Sequence, residues 1–199
     1  MPIEWLPLAA LEGLTLLFGR QLIFRRYRSG LQWLVVSSGI VYLMTVVFLC
    51  FRPSWIDPSL IHVDYHQVPI NLIPFQNFHV DFFENILMTI PAGIYLALFY
   101  RHLHWQEVIT LAILPGLTIE SCQFFADFAC GLYRVVDIDD LITNWLGVLI
   151  GFVIARFVIN ILPRHLRTVA FNQVSICREK SPQMGRFCYF LGNKILEFI

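Results

Sequence analysis

The chain has 199 residues, 57% of them apolar and 14% charged, with a mean hydropathy of +0.66, whereas a typical soluble domain carries about 25% charged residues. Its 14 Lys and Arg balance its 14 Asp and Glu, and they form no basic stripe able to neutralise a phosphate backbone, which excludes nucleic acid as a partner. Apolar residues gathered in runs of about 20 make the membrane span, not the soluble domain, the unit in which the chain is read.

Residues 5–22 form the first predicted span. No basic segment precedes it and Glu12 interrupts it, so it reads as an uncleaved helix and not as a signal peptide. Residues 31–51 form the clearest span: 21 residues without a charge, which at 1.5 Å per residue reach about 30 Å, the thickness of a bilayer core. The following segment carries His62, Asp64 and His66, a grouping that resembles a metal site but reads more simply as solvated interfacial histidines.

Three further spans are predicted over residues 82–100, 107–126 and 141–162. Each contains a polar or charged group, and a charge at mid-membrane costs about 2.5–3.5 kcal/mol on insertion scales, so these groups should sit near span ends or face other helices. Pro91 with Gly93, and Pro115 with Gly116, are predicted to kink spans three and four. Gly147 and Gly151 form a GxxxG on span five, which admits a close helix neighbour from within the chain or from a second copy in a homodimer. The tail over residues 163–199 has scattered charge and a final apolar stretch too short to cross, suited to an amphipathic helix at the membrane surface or to partial disorder.

The expected fold is therefore all-α, a polytopic transmembrane bundle of about five spans. Its three regions are residues 1–30, residues 31–162 and a basic tail, residues 163–199. Eleven basic residues (Arg20, Arg25, Arg26, Arg28, Arg101, Arg164, Arg167, Arg178, Lys180, Arg186 and Lys194) fall on one side, against Arg52 and Arg134 on the other. The positive-inside rule then puts the N-terminus outside and the C-terminal tail in the cytoplasm. Cys50, Cys122, Cys130, Cys177 and Cys188 show neither CxxC nor zinc-finger spacing and read as small apolar fillers.

In this topology the acidic residues Asp57, Asp64, Asp81, Glu84, Glu120, Asp127, Asp137, Asp139 and Asp140 lie at or beyond the outer span ends. Glu84, Asn85, Glu120, Gln123 and Asn144 fall at apolar depth, where burial requires partners. Glu120 and Gln123, three residues apart, share a helix face. Arg134 paired with Glu120 or Asp137, and Gln123 and Asn144 completing a hydrogen-bonded network, would make an outward-facing polar pocket beneath an Asp-rich loop. Simpler roles compete: the Asp run would cap span five and complement its dipole, and Glu120 with Arg134 would clamp two helices. Asp137, Asp139 and Asp140 would also suit a divalent cation, although their spacing lacks a regular ligand pattern. No cofactor is implied.

The segments NLIPF at 71–75, ENILMTIPAG at 84–93, TIESCQ at 118–123 and RVVDIDDLITNWLG at 134–147 together resemble the VanZ-like family of bacterial membrane proteins. The resemblance covers about residues 30–160 and departs from the family pattern at Thr118 and Ala92. It implies a multi-pass protein of the bacterial cytoplasmic membrane, and the family's namesake is associated with teicoplanin resistance without the enzymes that remodel peptidoglycan precursors. The family's polar positions map to Asn71, Asn85, Glu120, Gln123, Arg134, Asp137, Asp140 and Asn144.

Three functional classes follow. The first is a non-catalytic protein whose pocket binds a membrane lipid, a lipid-linked cell-wall precursor or a lipoglycopeptide, with Arg134 pairing an anionic group and Glu120, Gln123 and Asn144 setting orientation. The second is a membrane-embedded enzyme on a lipid-linked substrate, with Glu120 as general base; no Ser/His or Cys/His nucleophile arrangement accompanies it. The third is a lipid or drug transporter, suggested by the kinked spans and the intramembrane Glu120.

Overall fold

In a computed structural model the described residues are 3–23, 30–52, 70–75, 80–100, 103–130 and 136–163. The tail beyond residue 163, the loop bearing His62, Asp64 and His66, and Arg134 lie outside them. A short 3-10 turn, Ile3–Trp5, leads into α1 (Leu6–Ile23), followed by α2 (Gly30–Phe51), β1 (Ile70–Asn71), α3 (Val80–Phe99), α4 (Trp105–Cys130), β2 (Val136–Asp137) and α5 (Ile138–Ile161).

Four of these helices are long and apolar enough to cross a membrane: α3, α4, α5 and the Trp33–Phe51 part of α2. The first predicted span forms as the 18-residue α1, with Glu12 and Arg20 within it, and is not among those four. The fold is a helical membrane bundle. Its β content among the described residues is one two-residue parallel pair, Ile70 opposite Val136 and Asn71 opposite Asp137.

Local chemistry sets the helix starts. Asp137 is extended (φ −120°, ψ 132°) and its side chain accepts from the Asp139 N–H, so α5 begins at Ile138 with Asp139 and Asp140 in its first turn. The Asp run is thus an N-cap and first helical turn rather than a roofing loop. At the start of α4, the Glu107 carboxylate reaches back to accept from the His104 N–H at 2.7 Å, the acidic half of a capping box.

The tightest seam joins α3 to α5. A methyl group at Gly147 would overlap the Ile86 carbonyl and the Thr89 hydroxyl; at Gly151 it would overlap the Ile90 carbonyl; at Gly93 of α3, the Val148 carbonyl. Small residues therefore let the two backbones touch, as membrane helices require where no hydrophobic effect drives them together. The GxxxG face, which the sequence also offered to a second copy, is occupied by α3 of the same chain.

Two apolar clusters mark the ends of the bundle. Near the start of α1, Leu8, Cys50 and Phe51 are buried together with Met88, Ile119, Cys122 and Ala126 against them. At the other end Ala97, Val108, Phe152 and Ala155 join α3, α4 and α5. Tyrosine hydroxyls tie α2 to α3 between these clusters: Tyr42 donates to the Met88 carbonyl at 3.1 Å, three residues before Pro91, and Tyr95 donates to Ser38 at 2.9 Å. Pro91 and Pro115 both lie inside continuous helices.

Candidate functional site

The starts of α3 and α5, the ends of α2 and α4, and the β1–β2 pair meet at one end of the bundle. There the Asp run strings together three separate segments. Asp137 uses one carboxylate oxygen to cap α5 at 2.9 Å and the other to accept from the Asn71 side-chain amide at 3.0 Å. Asp139 accepts from the Phe75 N–H with both oxygens at 3.0 Å. Asp140 accepts from the side-chain amide of Asn85 on α3. Charge-assisted bonds of this kind are roughly twice as strong as neutral ones.

The turn so held is itself unusual. Phe75 has φ 62°, the left-handed region that costs a non-glycine residue about 1–2 kcal/mol. The Asn71 side-chain oxygen accepts from the Ile73 N–H at 3.2 Å, folding the preceding residues into an Asx turn.

Deeper between α4 and α5 lies a second layer of polar groups. Glu120 on α4 is 7% exposed and Asn144 on α5 is 1% exposed; Thr143 and Asp127 are also buried, Thr143 on the α5 face that carries Gly147 and Asp127 near the end of α4. Thr143 returns its hydroxyl to the Asp139 carbonyl at 2.8 Å. Gly116 faces this layer: a Cβ there would stand 3.2 Å from the Asn144 Cβ and 3.0 Å from Leu141 Cδ1, so the glycine lets α4 close on Asn144. The Asn144 side-chain oxygen is enclosed and has no hydrogen-bond partner among the described residues.

The expected pairing of Arg134 with Glu120 or Asp137 lies outside the described residues. Asn71 joins Asp137 and Asn85 joins Asp140, pairs that the sequence reading did not name. Among the described residues Gln123 donates to the Cys50 carbonyl at 3.1 Å, fastening α4 to the last turn of α2. Glu84, expected at apolar depth, is exposed on α3. No group of three or more His, Cys, Asp or Glu side chains converges on a metal-sized site among the described residues. Each carboxylate of the Asp run turns to a different N–H donor, which is why these neighbours in sequence do not form a ligand set.

Asp127, read from the sequence only as an acidic group at the outer end of its span, is buried on α4, seven residues from Glu120 and so on the same helix face. The bond from Asp139 to the Phe75 N–H joins residues 64 apart and has no local signature.

The family model described as VanZ/LLP1 matches residues 39–160, well over half of the chain. The chain belongs to the VanZ/LLP1 family. Protein VanZ of Enterococcus faecium is 31% identical over 123 residues, covering 59% of this chain and 71% of the relative. No solved structure matches the chain. The VanZ/LLP1 match contains every polar position gathered above, from Asn71 and Asn85 to Asp140 and Asn144. It also contains the whole α3–α5 seam on which they are mounted.

Proposed function

We propose that this VanZ-like membrane protein binds an amphiphile of the bacterial envelope (a lipid, a lipid-linked cell-wall precursor or an acylated glycopeptide of the teicoplanin type) at the polar layer between α4 and α5. The observation that carries this reading is Asn144, 1% exposed with its side-chain oxygen unmatched among the described residues, beside the buried Glu120. A buried acceptor left without a donor costs about 1–3 kcal/mol. Polar and ionisable groups retained at membrane depth are characteristically functional. In this reading Asn144 accepts a hydrogen bond from the ligand's amide or hydroxyl groups, Glu120 sets its orientation, and Arg134 pairs an anionic group.

The Asp-bearing end faces the cell exterior in this account and the C-terminus lies in the cytoplasm of a cytoplasmic-membrane protein. Support comes from the eleven Lys and Arg on the opposite side of the spans against Arg52 and Arg134 on this one. The test is equilibrium binding of teicoplanin, its deacylated form and vancomycin to the purified protein in nanodiscs. Saturable binding of the acylated drug, weakened at least tenfold by Asn144→Leu, supports the reading. Equal, unsaturable partitioning into protein-containing and empty nanodiscs contradicts it for this drug.

A further inference from the structure

Residues 72–75, which follow β1, are not helical, yet they are apolar and exposed. Leu72, Ile73 and Phe75 are each at least half exposed. Exposed apolar residues continue from them onto α3: the Phe75 ring lies 6.5 Å from that of Phe82, which meets Phe83 at 5.6 Å, and Val80, Phe83 and Leu87 are exposed along the helix, with the exposed carboxylates Asp81 and Glu84 between them. Leu87 lies within α3, one of the membrane-crossing helices, so it belongs to a surface that lipid covers.

Two backbone donors of the turn are met by side chains. Pro74 has no N–H. The Ile73 N–H goes to the Asn71 side chain and the Phe75 N–H to the Asp139 carboxylate, while Asn71 is paired with Asp137 in the strand ladder. Irregular backbone is excluded from lipid chiefly because its donors go unmet. Here the donors of Ile73 and Phe75 are met by side chains, and the left-handed Phe75 is held in place by the same carboxylate.

We infer that the turn over residues 71–75 is an intramembrane wedge, seating Leu72, Ile73 and Phe75 among lipid acyl chains beside the first turns of α3. The partner is the acyl region of the bilayer, identified by continuity with the exposed apolar residues of α3. The inference does not depend on what the polar layer binds.

A nitroxide on Ile73→Cys, in a cysteine-free chain reconstituted in liposomes, tests it by collision with oxygen and with a water-soluble nickel chelate. The wedge predicts high oxygen and low nickel accessibility, as for the same label on Leu87→Cys, and a rise in nickel accessibility when Asp139→Ala releases the turn. High nickel accessibility at Ile73 would show a water-exposed loop, and low accessibility to both reagents would show a protein-covered one; either overturns the wedge. If the cysteine-free chain does not fold, Ile73→Trp in the native chain gives an independent reading. Lipids brominated on their acyl chains should quench its added fluorescence, and absence of that quenching refutes the proposal.

Discussion

Asn85 and Asp140 show how a single polar pair holds this molecule together. The pair links the first turns of α3 and α5 at half-buried positions. Removing one member strands the other, so Asn85→Ala should cost about 1–3 kcal/mol, read as a lower thermal midpoint in detergent. The double variant with Asp140→Ala should lose less than the two single losses combined, because the pair acts as a unit. Asn144 predicts the opposite sign: Asn144→Leu removes a buried acceptor unmatched among the described residues and should leave the midpoint unchanged or raised while weakening ligand binding. Loss of both stability and binding would make Asn144 a structural residue. At this scale the sequence was legible where chemistry is local, as in the capping of α5 by Asp137. It was opaque where a bond spans distant segments, as from Gln123 to Cys50.

Among the elements, the helices could be read from the chain because their apolar runs match the bilayer in length, and α3 formed within two residues of its predicted bounds. The packing order was less accessible. A GxxxG declares that some helix approaches closely but does not name it, and its counterpart on α3, the small residues Thr89, Gly93 and Ala97 at four-residue spacing, went unread. Gly151→Leu must push the Ile90 carbonyl away, which should cost about 1–3 kcal/mol or more through overpacking, seen as lost folded yield. Gly13→Ala on α1 meets nothing within 4 Å and should leave yield unchanged, which separates the seam from a general intolerance of substitution.

For the whole molecule, the sidedness of the bundle decides what the polar layer meets. In a cysteine-free chain, Arg52→Cys at the Asp-bearing end should react with an impermeant thiol reagent added to intact cells, and Gln106→Cys at the other end should react after lysis. The reverse pattern would turn the site toward the cytoplasm. Membership of the VanZ/LLP1 family and the membrane bundle were both legible in the sequence, through four motifs in fixed order and the apolar runs between them. The enclosure of Asn144 by Gly116 was not, since it depends on the register of α4 against α5. The most direct test of a functional polar site is host susceptibility to teicoplanin and vancomycin, compared for wild type, Glu120→Gln and Arg134→Ala at matched membrane abundance. Selective teicoplanin tolerance that either substitution abolishes is the predicted result; tolerance unchanged by both substitutions would contradict it, and wild type without effect on either drug would contradict a glycopeptide as the ligand.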